Sequence, residues 1–116
     1  MEEREGPVHD LVTIQASVAA GDYHFEDYAM EGYSNLGFSE SEVLGCIAGL
    51  TVEAHFLRSE VSTHEHFVGE EFDVYIFHPH ELLKPNRGVW LKLVLSGTHV
   101  KIFSAHESKV PRRLRK

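Results

Sequence analysis

The chain has 116 residues, of which 42% are apolar and 10% aromatic, with 11 Lys and Arg set against 18 Asp and Glu. That length supports one ordinary hydrophobic core and is too short for two, so residues 1–116 are expected to form a single domain, with 1–7 and 111–116 as tails. No run approaches the roughly 20 apolar residues that a membrane helix needs, and Met1–Gly6 is acidic rather than a basic leader, so a cytoplasmic protein with no membrane partner is expected. The single Cys46 has no second thiol to pair with and sits among apolar neighbours, which reads as a buried, inert side chain.

The net charge of −7, spread evenly, would disfavour a nucleic-acid partner. It is not spread evenly. Met1–Leu57 carries 11 acids and one base, whereas Arg58–Lys116 carries 7 acids and 10 bases. Within Lys84–Lys116 nine bases face Glu107 alone, and an anionic ligand is expected to meet that last part of the chain.

In chain order, His9–Ala20 sets Leu11, Ile14 and Val18 near one face and stops at Gly21, which predicts an amphipathic helix. Asp22–Asn35, with Tyr23, Phe25, Tyr28, Met30 and Tyr33, fits either a helix or an aromatic loop packed on the core. Ser39–Glu42 reads as a capping box just ahead of Val43, Leu44, Ile47 and Leu50, and predicts a helix. After Thr51 the period becomes two, loosely in His55–Val61 and clearly in Phe72–Phe77. Gly88–Leu95 and Thr98–Ser104 are predicted strands joined across Ser96-Gly97. Phe77–Arg87, with Pro79, Pro85 and Asn86, is the loop that leads into that hairpin. The sum is an α+β domain with N-terminal helices packed on one face of a C-terminal antiparallel β-sheet.

Two patterns bear on chemistry. His64-Glu65-His66 and His78-Pro79-His80 each place two imidazoles on one side of an extended backbone, as a metal pair would be. Nothing in the sequence brings the pairs together, so they read as surface histidines, and neither a metal nor another cofactor is expected. Trp90 and Lys92 share a strand face opposite Val89, Leu91, Leu93 and Leu95, and His99, Lys101 and Phe103 on the next strand alternate with Val100 and Ile102. Such a cationic and aromatic face takes bases on its rings and phosphates on its ammonium groups. The competing reading, which periodicity by itself favours, is a solvated face whose lysines discourage edge-to-edge aggregation.

His106 and Glu107 come directly after that last strand, and Arg58 lies on a neighbouring one. RNA cleavage without a metal requires a base for the ribose 2′-hydroxyl, an acid for the leaving 5′-oxygen and positive charge at the transient phosphorane. His106, Lys92, Lys101 and Arg58 are residue types able to supply those parts, imidazole being the side chain that ordinarily titrates near neutrality.

Leu36-Gly37-Phe38-Ser39 through Val43, Ile47 and Gly49-Leu50, then Phe56-Leu57-Arg58-Ser59, Asp73-Val74-Tyr75, Val89-Trp90-Leu91-Lys92 and Ser104–Glu107 resemble, in order and approximate spacing, the motility quorum-sensing regulator (MqsR-type) toxins. The resemblance spans about Leu11 to Lys109, with short insertions before Phe56 and around Pro79–Asn86. It implies a RelE-like α+β fold and a metal-independent mRNA interferase of a type II toxin-antitoxin system, with mRNA and a cognate antitoxin as partners. By the same resemblance, Arg58 stands where the family has an active-site lysine, and His106 where it has a lysine before the matching Glu107. Phe72 replaces a family glutamine and Trp90 a family tyrosine, so two polar groups are gone.

The residues expected to act are therefore His106 as acid or base, Arg58 and Lys92 as cations and Trp90 as a stacking platform. Lys101, Lys84, Arg87 and Lys109 are expected to contact RNA. The missing glutamine and tyrosine, with the net charge, favour an alternative of another class: a diverged, non-catalytic RelE-like module that binds a protein. In either case the acids of the first half are expected on the helical side, away from an RNA-facing sheet.

Overall fold

Asp10 closes the amino end of the first helix, α1 (Leu11–Ala19): its carboxylate accepts from the Thr13 amide at 3.1 Å, supplying an acceptor that a first turn lacks. The computed structural model describes residues 6–61, 71–77 and 88–108. Within them α1 is succeeded by β1 (Tyr23–Phe25), α2 (Asp27–Leu36), α3 (Glu40–Ala48), α4 (Val52–His55), β2 (Phe56–Val61), β3 (Glu71–Phe77), β4 (Gly88–Ser96) and β5 (His99–Ser108).

Local chemistry explains the helix limits. α2 stops on Gly37, whose φ of +81° is a conformation that only glycine adopts cheaply. α3 opens on the capping box: the Glu42 amide donates to Ser39 Oγ at 3.2 Å and the Ser39 amide to Glu42 Oε1 at 2.7 Å. Its other end is served from α1, where Gln15 Nε2 donates to the carbonyls of Ile47 and Leu50, both at 3.0 Å.

The sheet order is β1-β5-β4-β3-β2. It is mixed rather than antiparallel, because β1 lies parallel to β5, Tyr23 opposite Val100 and Phe25 opposite Ile102, while the other pairs are antiparallel. Asp22–Asn35 is thus neither one helix nor an aromatic loop but a strand and then a helix. Three residues are too few to display an alternation, and the partner of β1 is remote in sequence, so no local pattern announced it. The hairpin loop is Gly97-Thr98, one residue later than expected, since Ser96 still pairs with His99; Gly97 takes φ +64° there. β5 also runs past Ser104 to Ser108, so His106 and Glu107 belong to the strand.

Tyr75, Val89, Leu91, Leu93, Val100, Ile102 and Ala105 line one sheet face and pack on Leu11, Ile14 and Val18 of α1, Ala29 and Tyr33 of α2, and Val43, Cys46 and Ile47 of α3. The helices therefore cover one face, as the sequence predicts. Cys46 is buried and unpaired, and burial pushes its thiol up to about 11, which keeps it protonated and inert. Among the described residues no helix is long and apolar enough to cross a membrane.

One buried carboxylate ties this layer to the sheet. Asp73, fully enclosed on β3, accepts from the Val8 amide at 2.9 Å, the His9 amide at 2.7 Å and Ser59 Oγ at 2.6 Å. The segment entering α1 and the strand β2 are thereby fastened to the same residue. Asp73→Ala is expected to lower the unfolding free energy by about 3 kcal/mol, because three half-buried donors lose a charged acceptor at once. Ser59→Ala, which removes one of them together with its own group, is expected to cost about 1 kcal/mol, and urea titrations of both variants check the difference.

Candidate nucleic-acid interface

A strand sends successive side chains to opposite faces, so the faces of Arg58 and His106 are set by the residues ahead of them on β2 and β5. On β2, Phe56 pairs with Tyr75 and faces the core, and strict alternation would send Arg58 to that side too. The register instead shifts at Leu57, so that Arg58 pairs with Val74 and emerges on the opposite face. The same device operates on β5. Leu93 pairs with Ile102 but Lys92 pairs with Ser104, leaving Phe103 as the extra residue. Ile102 stays in the core, Ala105 takes the core side beyond the bulge, and His106 turns toward Trp90, its pairing partner on β4.

The two bulges assemble a row of flat side chains across the sheet. The Arg58 guanidinium lies 5.5 Å from the centre of the Trp90 ring. The Trp90 and His106 rings are nearly parallel, at 12°, with centres 6.2 Å apart. Tyr28, reaching over from α2, meets His106 edge-on at 5.9 Å. His106 Nδ1 donates to the Glu107 carbonyl oxygen at 3.0 Å, since a carbonyl can only accept, and the neutral ring then presents a lone pair at Nε2.

Beside His106 runs a cleft of about 430 Å³, in which Tyr28, Glu31, Asn35 and Leu36 of α2 face His106 and Glu107. The helix comes this close because residue 32 is glycine: a Cβ there would stand 2.6 Å from the Ala105 carbonyl oxygen and 2.9 Å from His106 Cβ. Under the other end of the row, Phe72, Val94 and Phe103 form a small apolar cluster, with Phe72 and Phe103 at 4.5 Å between ring centres.

Glu60 organises the cations. Its carboxylate accepts from Arg58 Nε at 2.8 Å and pairs with Arg58 Nη2 at 2.7 Å and Lys92 Nζ at 3.1 Å. Burial pushes the Glu60 carboxyl up, but the bonds from Lys92 and Arg58 outweigh it and hold the group below its ordinary value. Lys92 also lies 5.3 Å over the Phe72 ring.

Of the residues chosen from sequence, Arg58, Trp90 and His106 share the row, and Lys92 joins it through Glu60. Trp90 stands between Arg58 and His106. β2 does not neighbour β5 as expected but is separated from it by β3 and β4, because each strand pairs with the next in the meander, so cation and imidazole do not touch. Lys101 is not beside Trp90: it pairs with Val94, four residues along β4, on the order of 13 Å away. Lys84, Arg87, Lys109 and both H-x-H pairs lie outside the described residues. Sequence reasoning missed Glu60, although its place two residues after Arg58 on a strand was a readable signal. It also missed Tyr28, whose stripe with Glu31 and Asn35 is visible once a helix is started at Asp27. No protein-family model matches the chain, and no curated protein is similar to it in sequence.

Because the folded Glu60 carboxyl titrates below its ordinary value of 4.5, its stabilising contribution is present above that value and is lost as pH falls through the folded value. Glu60→Gln is therefore expected to flatten the acid limb of stability against pH, measured by melting from about pH 6 down to about pH 3. Gly32→Ala is expected to destabilise by about 1–3 kcal/mol and to displace α2 from β5, which amide chemical shifts of Ala105 and His106 report.

Proposed function

We propose that the protein is a metal-independent endoribonuclease that cuts single-stranded mRNA by 2′-hydroxyl attack, as the toxin of a type II toxin-antitoxin pair with a RelE-like fold. The observation that carries this reading is the row Arg58–Trp90–His106–Tyr28, with His106 oriented through Nδ1 and its Nε2 free to accept a proton. Splayed bases stack on Trp90 and Tyr28, each contact being worth about 1–3 kcal/mol. Arg58 and Lys92 hold the backbone phosphates and carry positive charge to the transition state. His106 takes the 2′-hydroxyl proton as the 2′-oxygen attacks phosphorus, the P–O5′ bond breaks with the 5′-oxygen taking a proton from water, and a 2′,3′-cyclic phosphate and a 5′-hydroxyl result. An mRNA substrate makes the cytoplasm the place of action. The helices on one sheet face are compatible with the RelE-like fold, and Glu40 and Glu42 of α3 offer a basic antitoxin an acidic surface. The acids are not all kept from the row as expected, since Glu31 of α2 stands in the cleft beside His106 and Glu26 reaches His24 on the side of Lys101.

A second reading has one observation in its favour. Glu60 already neutralises much of the charge of Arg58 and Lys92, and a phosphate must displace it. A non-catalytic module that binds a protein partner has no need to do so.

The two readings part in one assay. Wild-type protein incubated with mixed single-stranded RNA in EDTA is expected to cleave it and leave cyclic phosphate ends. His106→Ala is expected to slow cleavage by roughly 100-fold or more, and Arg58→Ala to weaken RNA binding. Cleavage and growth arrest unchanged by both substitutions would sink the catalytic assignment, and folded wild type that binds but never cuts RNA supports the binding module.

A further inference from the structure

At the far end of β5 from the row, four side chains join β1 to the hairpin in a single file. Glu26 Oε2 lies 2.8 Å from His24 Nε2, and Asp22 Oδ1 lies 2.6 Å from His99 Nδ1. Thr98 Oγ1 donates to the other Asp22 oxygen at 2.8 Å. The bonds from His99 and Thr98 hold the Asp22 carboxyl below its ordinary value. Between the imidazoles, His24 Nδ1 faces His99 Nε2 head-on at 2.7 Å, with ring centres 4.9 Å apart. A carboxylate accepts, so each outer ring nitrogen donates; a neutral ring then has only a lone pair at its inner nitrogen. Two facing lone pairs repel at this distance and two facing N–H groups collide, whereas one proton between them makes a short hydrogen bond.

We propose that a single proton shared by His24 and His99 is a pH-sensitive latch that holds β1, and through it the start of α2, on the edge of β5. β1 is three residues long and pairs with one strand, so it belongs to the part of a fold that opens most easily. The Val100 amide donates to the Asp22 carbonyl and the Glu26 amide to the Ile102 carbonyl, both at 3.0 Å, on either side of the histidines. Glu26 is also the residue from which α2 starts, and α2 carries Tyr28 and Glu31 to the cleft beside His106. Charge agrees with one proton. Among the described residues the charged groups on this side of the sheet are Asp22 and Glu26, which flank β1, and Lys101 of β5, opposite His24 in the register. β4 brings Ser96 and Val94 alongside, which carry no charge, and the core-facing Val100 and Ile102 meet the helices on the other face. Two carboxylates against one ammonium leave one negative charge, which the shared proton cancels. That proton comes off in a step that belongs to the pair and not to either ring. The latch is therefore closed while one proton is held. It opens when rising pH removes that proton or when acid adds a second. It does not depend on what the row binds.

Ring nitrogen shifts of the full-length protein, followed by NMR from about pH 5 to about pH 9, test this together with amide exchange corrected for its intrinsic rate. The two rings are expected to titrate as one coupled pair. The Val100 and Glu26 amides are expected to exchange about tenfold or more faster once the shared proton is lost. His99→Ala is expected to exchange fast throughout. His24→Asn, whose amide can donate to His99 Nε2 without a titrating proton, is expected to keep the slow exchange and lose its alkaline limb. Rings that titrate independently, equal protection of Val100 and Glu26 in wild type and His99→Ala, or a His24→Asn variant with the wild-type pH response each overturn the latch.

Discussion

Because successive side chains of a strand point to opposite faces, an extra residue is the means by which a strand that starts in the core can deliver its later residues to the other face. The whole candidate interface rests on that constraint. Phe56 and Ile102 are both core residues, and Arg58 and His106 each lie an even number of positions further on. Without the shifts at Leu57 and Phe103 both would point into the helical layer, where an unpaired guanidinium is ruinous. The bulges are held in place differently. Phe103 is nearly enclosed against Phe72, so the burial of a phenyl ring, worth about 1.5–3 kcal/mol, fixes its shift. Leu57 is largely exposed, and the β2 shift is secured by contacts further along the strand: Arg58 and Lys92 on Glu60, and Ser59 on Asp73.

Asp73 thereby links the helical layer to the site. It takes the amides of Val8 and His9 that lead into α1, and with its remaining capacity holds Ser59, the residue between Arg58 and Glu60. Tyr75, two residues on, has a buried hydroxyl with no partner among the described residues, and burial pushes its proton affinity well up. One side of β3 thus holds a polar group met by three donors beside one met by none.

What the sequence made legible was whatever repeats locally. The Ser39–Glu42 capping box and the helix behind it needed no distant partner to be recognised. β4 carries its alternation over nine residues, so the face shared by Trp90 and Lys92 was readable directly. β1 is three residues long and owes its existence to β5, far along the chain. The bulges were hidden for a related reason. A register shift is a property of two strands, and only pairing reveals that Lys92 meets Ser104 while Leu93 meets Ile102. Continuing the alternation of Val100 and Ile102 put Lys101 beside Trp90 and gave no account of how His106 reached that face.

The charge on the interface sets how RNA could be held there. Two cations and one carboxylate are a modest electrostatic footprint, and each phosphate neutralised on a single strand changes the salt slope by only about 0.7. Two such contacts lose roughly an order of magnitude in affinity over a fourfold rise in salt, far less than a strongly basic binder loses. Stacking on Trp90 and Tyr28 is much less sensitive to salt, so the balance of attraction on this face falls to its rings. On the proposed reading, that division is what lets a chain of net charge −7 hold a polyanionic ligand. On the same reading, Glu60 restrains the cations until a phosphate competes for them, and the flat side chains from Arg58 to Tyr28 take bases that are already unpaired.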